Sequence, residues 1–147
     1  MIHAQNAKKV LPIFQSSTTA AGTASGNIDT LGYDYLSLDV LLPTADVVSN
    51  KPTVLKLSES DDTVVTNFAS VSGFVGGTDF TIPNAITAAT SITQPYATLN
   101  VDLKGRKRYL KISVSPATTQ VVNAVGQLTR AEQTPSTSSQ ATVVVNG

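Results

Sequence analysis

Tyr33-Asp34-Tyr35-Leu36-Ser37-Leu38-Asp39-Val40-Leu41-Leu42 is the stretch that decides the fold class. Leu36, Leu38, Val40 and Leu42 recur at every second residue, and Tyr35, Ser37, Asp39 and Leu41 fill the positions between them. A period of two places alternate side chains on opposite faces of an extended chain, so one face of this segment is buried. A helix would need its apolar residues at spacings of three and four. Residues 108–115 repeat the pattern, with Leu110, Ile112 and Val114 pointing one way and Tyr109, Lys111, Ser113 and Ser115 the other. From Tyr35 and from Tyr109 both segments spell Tyr-Leu-x-(Leu/Ile)-x-Val. Equivalent strands of two sheets would share such a word, and so would any two half-buried strands.

Outward from these two segments, Val, Ile and Thr mark further strands at residues 10–15, 53–58, 71–74, 97–103, 121–130 and 141–145, about eight in all. Gly, Pro, Asn and Asp break the chain at 22–27, 43–52, 73–79, 94–95, 104–105, 116–119 and 134–139. Residues 82–92 read as a loop with at most a helical turn. Pro12 removes a backbone donor from the first apolar run, which makes residues 1–14 an N-terminal arm or edge strand ahead of a single domain over 15–147. The expected class is all-β: an antiparallel β-sandwich, jelly-roll-like, with an extended N-terminal arm. A closed barrel is the alternative.

The 147 residues suffice for one domain with a buried core. Only 14% are charged, while Ser and Thr fill 35 positions, so hydroxyls rather than ions dress the surface. Ten basic side chains balance ten acidic ones, leaving no global field to draw the chain onto nucleic acid or an anionic membrane. The absence of cysteine removes disulfides, thiolate metal sites and thiol nucleophiles. Gln5, Asn6, Lys8 and Lys9 interrupt the apolar character of the first residues, and no segment has the roughly 20 apolar residues of a membrane-spanning helix. The chain is expected to be made and used without export through a membrane.

Catalytic chemistry needs converging titratable groups, and His3 is the sole histidine, placed near the start of the chain. A zinc site or a serine nucleophile with its base has no material here. Glu59, Asp61 and Asp62 could in principle hold calcium or act as a glycosidase pair, yet the stretch lacks the glycine bend and ligand frame of a calcium loop and reads as a solvated turn. Gly73, Gly76 and Gly77 precede no helix that could cradle a phosphate. Lys104-Gly105-Arg106-Lys107-Arg108 is the densest charge run, set at the apex of an expected hairpin. It is either a solvated turn or a contact for an acidic surface, since arginine grips carboxylates at two points. No aromatic platform accompanies it for stacking nucleic-acid bases, and the absence of tryptophan weakens a carbohydrate reading.

Four blocks carry a family resemblance: residues 31–42 (LGYDYLSLDVLL), 54–61 (VLKLSESD), 108–114 (RYLKISV) and 128–135 (LTRAEQTP). Their succession, from about residue 26 to residue 135, resembles small structural proteins encoded beside the capsid genes of tailed bacteriophages, of the head decoration or cement type. That resemblance implies a jelly-roll or related β domain, often a homotrimer, seated on the capsid exterior where major capsid subunits meet. It brings no catalytic residue, and the chain is expected to use no cofactor, metal, nucleic acid, membrane or small-molecule substrate. The expected capsid contacts are Lys8 and Lys9 in the arm and Lys104, Arg106, Lys107 and Arg108 in the turn. The competing expectation is a receptor- or glycan-binding module of a phage fibre or tail. An enzyme built on Glu59 and Asp61 ranks third.

Overall fold

The computed structural model describes residues 7–18, 22–41, 52–82, 96–130 and 143–147. These residues form nine strands: β1 (Lys8–Thr18), β2 (Ala24–Asp29), β3 (Tyr35–Leu41), β4 (Val54–Ser60), β5 (Ala69–Val75), β6 (Tyr96–Asp102), β7 (Tyr109–Ser115), β8 (Gln120–Thr129) and β9 (Val143–Asn146). One sheet has the order β1-β8-β3-β6-β9 and the other β2-β7-β4-β5. β1 pairs with β8, β2 with β7, β3 with β6 and β4 with β5, each pair antiparallel. A chain folded back on itself in this way and then rolled into two sheets is a jelly roll.

The alternation in the deciding stretch holds. Leu36, Leu38 and Val40 are fully buried, as are Leu110, Ile112 and Val114 in the facing sheet. Leu55, Leu57, Phe74, Leu99, Val101 and Leu128 complete the middle of the core between the two sheets. Such packing supplies most of the stability, at about 25 cal/mol for each Å² of apolar surface taken from water. Leu42, residues 83–95 and residues 131–142, on which further expectations fell, lie outside the described residues.

Three differences from the sequence reading have physical causes. Residues 22–27, read as a break, contain most of β2. Its two inward side chains, Ala24 and Ile28, flank Gly26, which offers no apolar signal and whose missing side chain leaves room for the Pro12 backbone. β5 continues through Gly73, read as a break, because residues 71–74 bulge opposite Leu57, between the pairs Ser58–Ser70 and Lys56–Val75. The sandwich is also not wholly antiparallel, since β9 runs parallel to β6. β3 pairs antiparallel with both β6 and β8, so β6, β8 and β9 share one direction.

β1 forms an edge of the five-stranded sheet and pairs with β8 on both sides of residue 14. Its register slips between Val10 and Ile13 and again between Ile13 and Ser16, bulges that turn Ile13 into the core while Leu11 and Phe14 face solvent. Residues 1–6, including His3, lie outside the described residues.

Candidate functional site

The jelly-roll path brings the start of β1, the end of β8 and the connections β2–β3, β4–β5 and β6–β7 to one end of the sandwich. Two of these connections are built alike. Tyr33 N donates to Thr30 O at 3.1 Å around Gly32, and Arg106 N donates to Leu103 O at 3.1 Å around Gly105. Both glycines have positive φ, 84° and 80°, at the third position of a four-residue turn, where other residues are strained. The second position of each turn, Leu31 in one and Lys104 in the other, points outward. Cross-links fix the turns together: Thr30 N and Oγ1 both donate to Arg108 O, at 3.0 and 2.7 Å, and Leu103 N donates to Asp34 O at 2.8 Å.

Five of the six expected contact residues lie at this end, and most are engaged within the chain. Arg108 donates from Nε and Nη2 to the two carboxylate oxygens of Asp29, at 3.0 and 2.8 Å, and its guanidinium lies over the Tyr109 ring. The Arg108 fork, with lesser help from the Leu31 amide and the nearby charge of Lys8, holds the Asp29 carboxyl down at about 2. The same bond raises the Arg108 pKa. Lys107 pairs with Asp61 at 3.0 Å, and its amide donates to Glu59 Oε2 at 3.3 Å. Lys104 lies over the Tyr35 ring. Arg106 pairs with no carboxylate among the described residues. Lys9 stands apart, on the outer face of the five-stranded sheet, where it pairs in register with Gln127.

The acidic trio does not converge. Glu59 and Asp61 serve Lys107, whereas Asp62 accepts from Val64 N at 2.9 Å and from Asn67 Nδ2 at 2.8 Å. The Asn67 bond chiefly, then the Val64 amide, lowers the Asp62 pKa. These bonds shape the β4–β5 connection, and no group of three or more possible metal-ligating side chains assembles among the described residues.

Sequence reasoning missed two components of this end. Leu31, Val64 and Val65 are largely exposed, an apolar set in loops otherwise rich in charge. An apolar residue at the tip of a short turn was the available signal. Arg130, distant from the basic run in sequence, donates from Nε to Gly32 O and lies over the Tyr33 ring. Lys111 lies over the Phe68 ring at 4.3 Å. The end therefore presents cations braced on aromatic rings beside exposed aliphatic side chains, a mixture suited to protein contact.

No family model and no curated protein matches the chain. Among solved structures, a family GH115 4-O-methyl-α-glucuronidase with specificity for decorated arabinogalactans is similar over 83% of this chain, with 12% identity and a TM-score of 0.41. The similar region makes up 16% of that enzyme, and a likeness at this level speaks to neither activity nor ligand.

Proposed function

We propose that this chain is a structural virion protein that binds the outside of a phage capsid and stabilises the shell by bridging major capsid subunits, acting as a homotrimer. The observation that carries the reading is the character of one end of the jelly roll. Exposed Leu31, Val64 and Val65 lie beside cations held in place by Asp29, Asp61, Tyr33 and Tyr109. Pre-formed ion pairs reduce the ordering and desolvation costs of docking, and aliphatic side chains add burial without demanding a particular charge pattern. Threefold repetition would convert a small footprint into a firm attachment. The family resemblance of the four sequence blocks points to the same role.

The experiment counts copies on purified particles and compares shells with and without the protein. Copies in the hundreds, with a lower rupture temperature on removal, support the role. Replacing Leu31, Val64 and Val65 together by Ser is expected to reduce shell binding at least tenfold while the domain stays folded. A few copies confined to the tail would instead establish the receptor module, and unaltered shell binding by the triple variant would place the contact elsewhere.

A further inference from the structure

The outer face of the five-stranded sheet carries a feature that the capsid role does not use. Strand registers align Lys9, Gln127, Ser37, Asn100 and Asn146 in one row across β1, β8, β3, β6 and β9. Beside it, Val125, Asp39 and Thr98 form the next row. Lys9, Ser37, Asp39, Val125, Gly126 and Gln127 line a depression of about 110 Å³ where the rows meet over β1, β8 and β3.

Two polar groups of this depression are braced from behind. Thr98, 3% exposed, donates through Oγ1 to Asp39 Oδ1 at 2.6 Å. Asn100, fully buried, accepts from Ser37 Oγ at 2.9 Å and donates through Nδ2 to Asn146 Oδ1 at 3.0 Å. Burying a hydroxyl and an amide is costly unless they bond, and apolar residues would cover β6 at lower cost. Here both buried groups are spent on fixing Asp39 and Ser37, the arrangement of a supported binding site. Asp39 keeps a second carboxylate oxygen outside that bond, and the Gln127 carboxamide lines the depression without a hydrogen-bond partner among the described residues.

We propose that this depression is a subsite for one sugar ring of a neutral glycan. The lining cation and carboxylate, Lys9 and Asp39, cancel, which favours an uncharged ligand over phosphate or an acidic peptide. A carboxylate and a planar amide accept and donate in pairs, matching adjacent ring hydroxyls, while Val125 offers a methyl surface to the C–H face of the ring. The half-open depression receives the edge of one ring, not a chain of them. Without an aromatic platform the Kd for a single ring is on the order of 1 mM. The subsite is independent of shell binding.

The test is titration of the ¹⁵N-labelled full chain with methyl glycosides of glucose, galactose, mannose and N-acetylglucosamine, read by amide shifts. At least one is expected to move the amides of Ser37, Asp39, Val125, Gly126 and Gln127 in a saturable way. Asp39→Ala should weaken that binding at least tenfold. Because this change strands the Thr98 hydroxyl, Gln127→Ala serves as the second variant; it breaks no side-chain hydrogen bond among the described residues and should weaken binding about fivefold or more. Val65→Ser, at the end of the sandwich, should leave it unchanged. The proposal is overturned if none of the four sugars shifts these amides, if shifts map elsewhere, if Gln127→Ala binds undiminished, or if a zwitterionic amino acid such as glycine saturates the site and the sugars do not.

Discussion

Arg108 holds both oxygens of Asp29, and the consequence for acid stability follows from the sign of the shift. The carboxyl sits at about 2 in the folded chain against 3.8 for the free side chain. Its contribution is therefore complete above pH 4 and is lost as the pH falls from about 4 towards 2. The pair is partly exposed, so its share of stability is small. Arg108→Ala is expected to return Asp29 to near its ordinary titration, read by carboxyl NMR, and Asp29→Asn to flatten the fall of Tm across that window. Equal titration of Asp29 in the variant and the parent chain would refute the assignment. In sequence Arg108 is one cation in a run; its partner lies 79 positions away, so only the folded register of β2 against β7 reveals it. Gly26 is a second residue whose role depends on folding. A methyl group there would sit 1.8 Å from the Pro12 carbonyl oxygen, at the corner where β1 and β2 bring the two sheets together. Gly26→Ala should cost about 1–3 kcal/mol by forcing these edges apart, measured by denaturant unfolding. A variant as stable as the parent would mean that this corner yields freely.

Strands legible in the sequence are those with one buried face and a full apolar set. β3 and β7 bury Leu36, Leu38, Val40, Leu110, Ile112 and Val114, so the period of two is unbroken. β2 was illegible because close approach to Pro12 replaces one of its inward side chains with Gly26. β5 was shortened in the reading because a bulge shifts Val71 and Phe74 out of strict alternation. Periodicity reports which face is buried and is silent on partners, hence the parallel placement of β9 had no signal at all. The same distinction sets an expectation for local stability. Amides of β3, β7 and β8, each paired on both sides, should exchange with solvent most slowly, and those of β5 and β9, at the sheet edges, fastest. Leu110→Ala, in the middle of the core, should cost about 2–5 kcal/mol. Uniform exchange across central and edge strands would argue against this ordering.

Among the described strands β4 and β5 alone are consecutive in sequence and paired in one sheet; β3 with β6, β2 with β7 and β1 with β8 close progressively longer loops. The exposed end of the sandwich depends on the outermost closures, because Lys8 stands beside Asp29 only after β1 has found β8. Long-range pairing must meet loop entropy before packing repays it, so refolding is expected on a timescale of about milliseconds to seconds, not microseconds. The shortest closure comes first in this scheme. Val71→Ala, in β5, should therefore slow refolding by most of its effect on stability. Ile13→Ala, in β1, should leave refolding nearly unchanged and speed unfolding. Stopped-flow chevrons of the two variants decide the matter, and the reverse pattern would mean that β1 docks before the β4–β5 pair forms. If the order holds, the contacts of β1 with β8 are made after the barrier, where added interactions slow unfolding directly. For a protein whose proposed role is to stay folded on a shell, kinetic persistence of that kind is the useful form of stability.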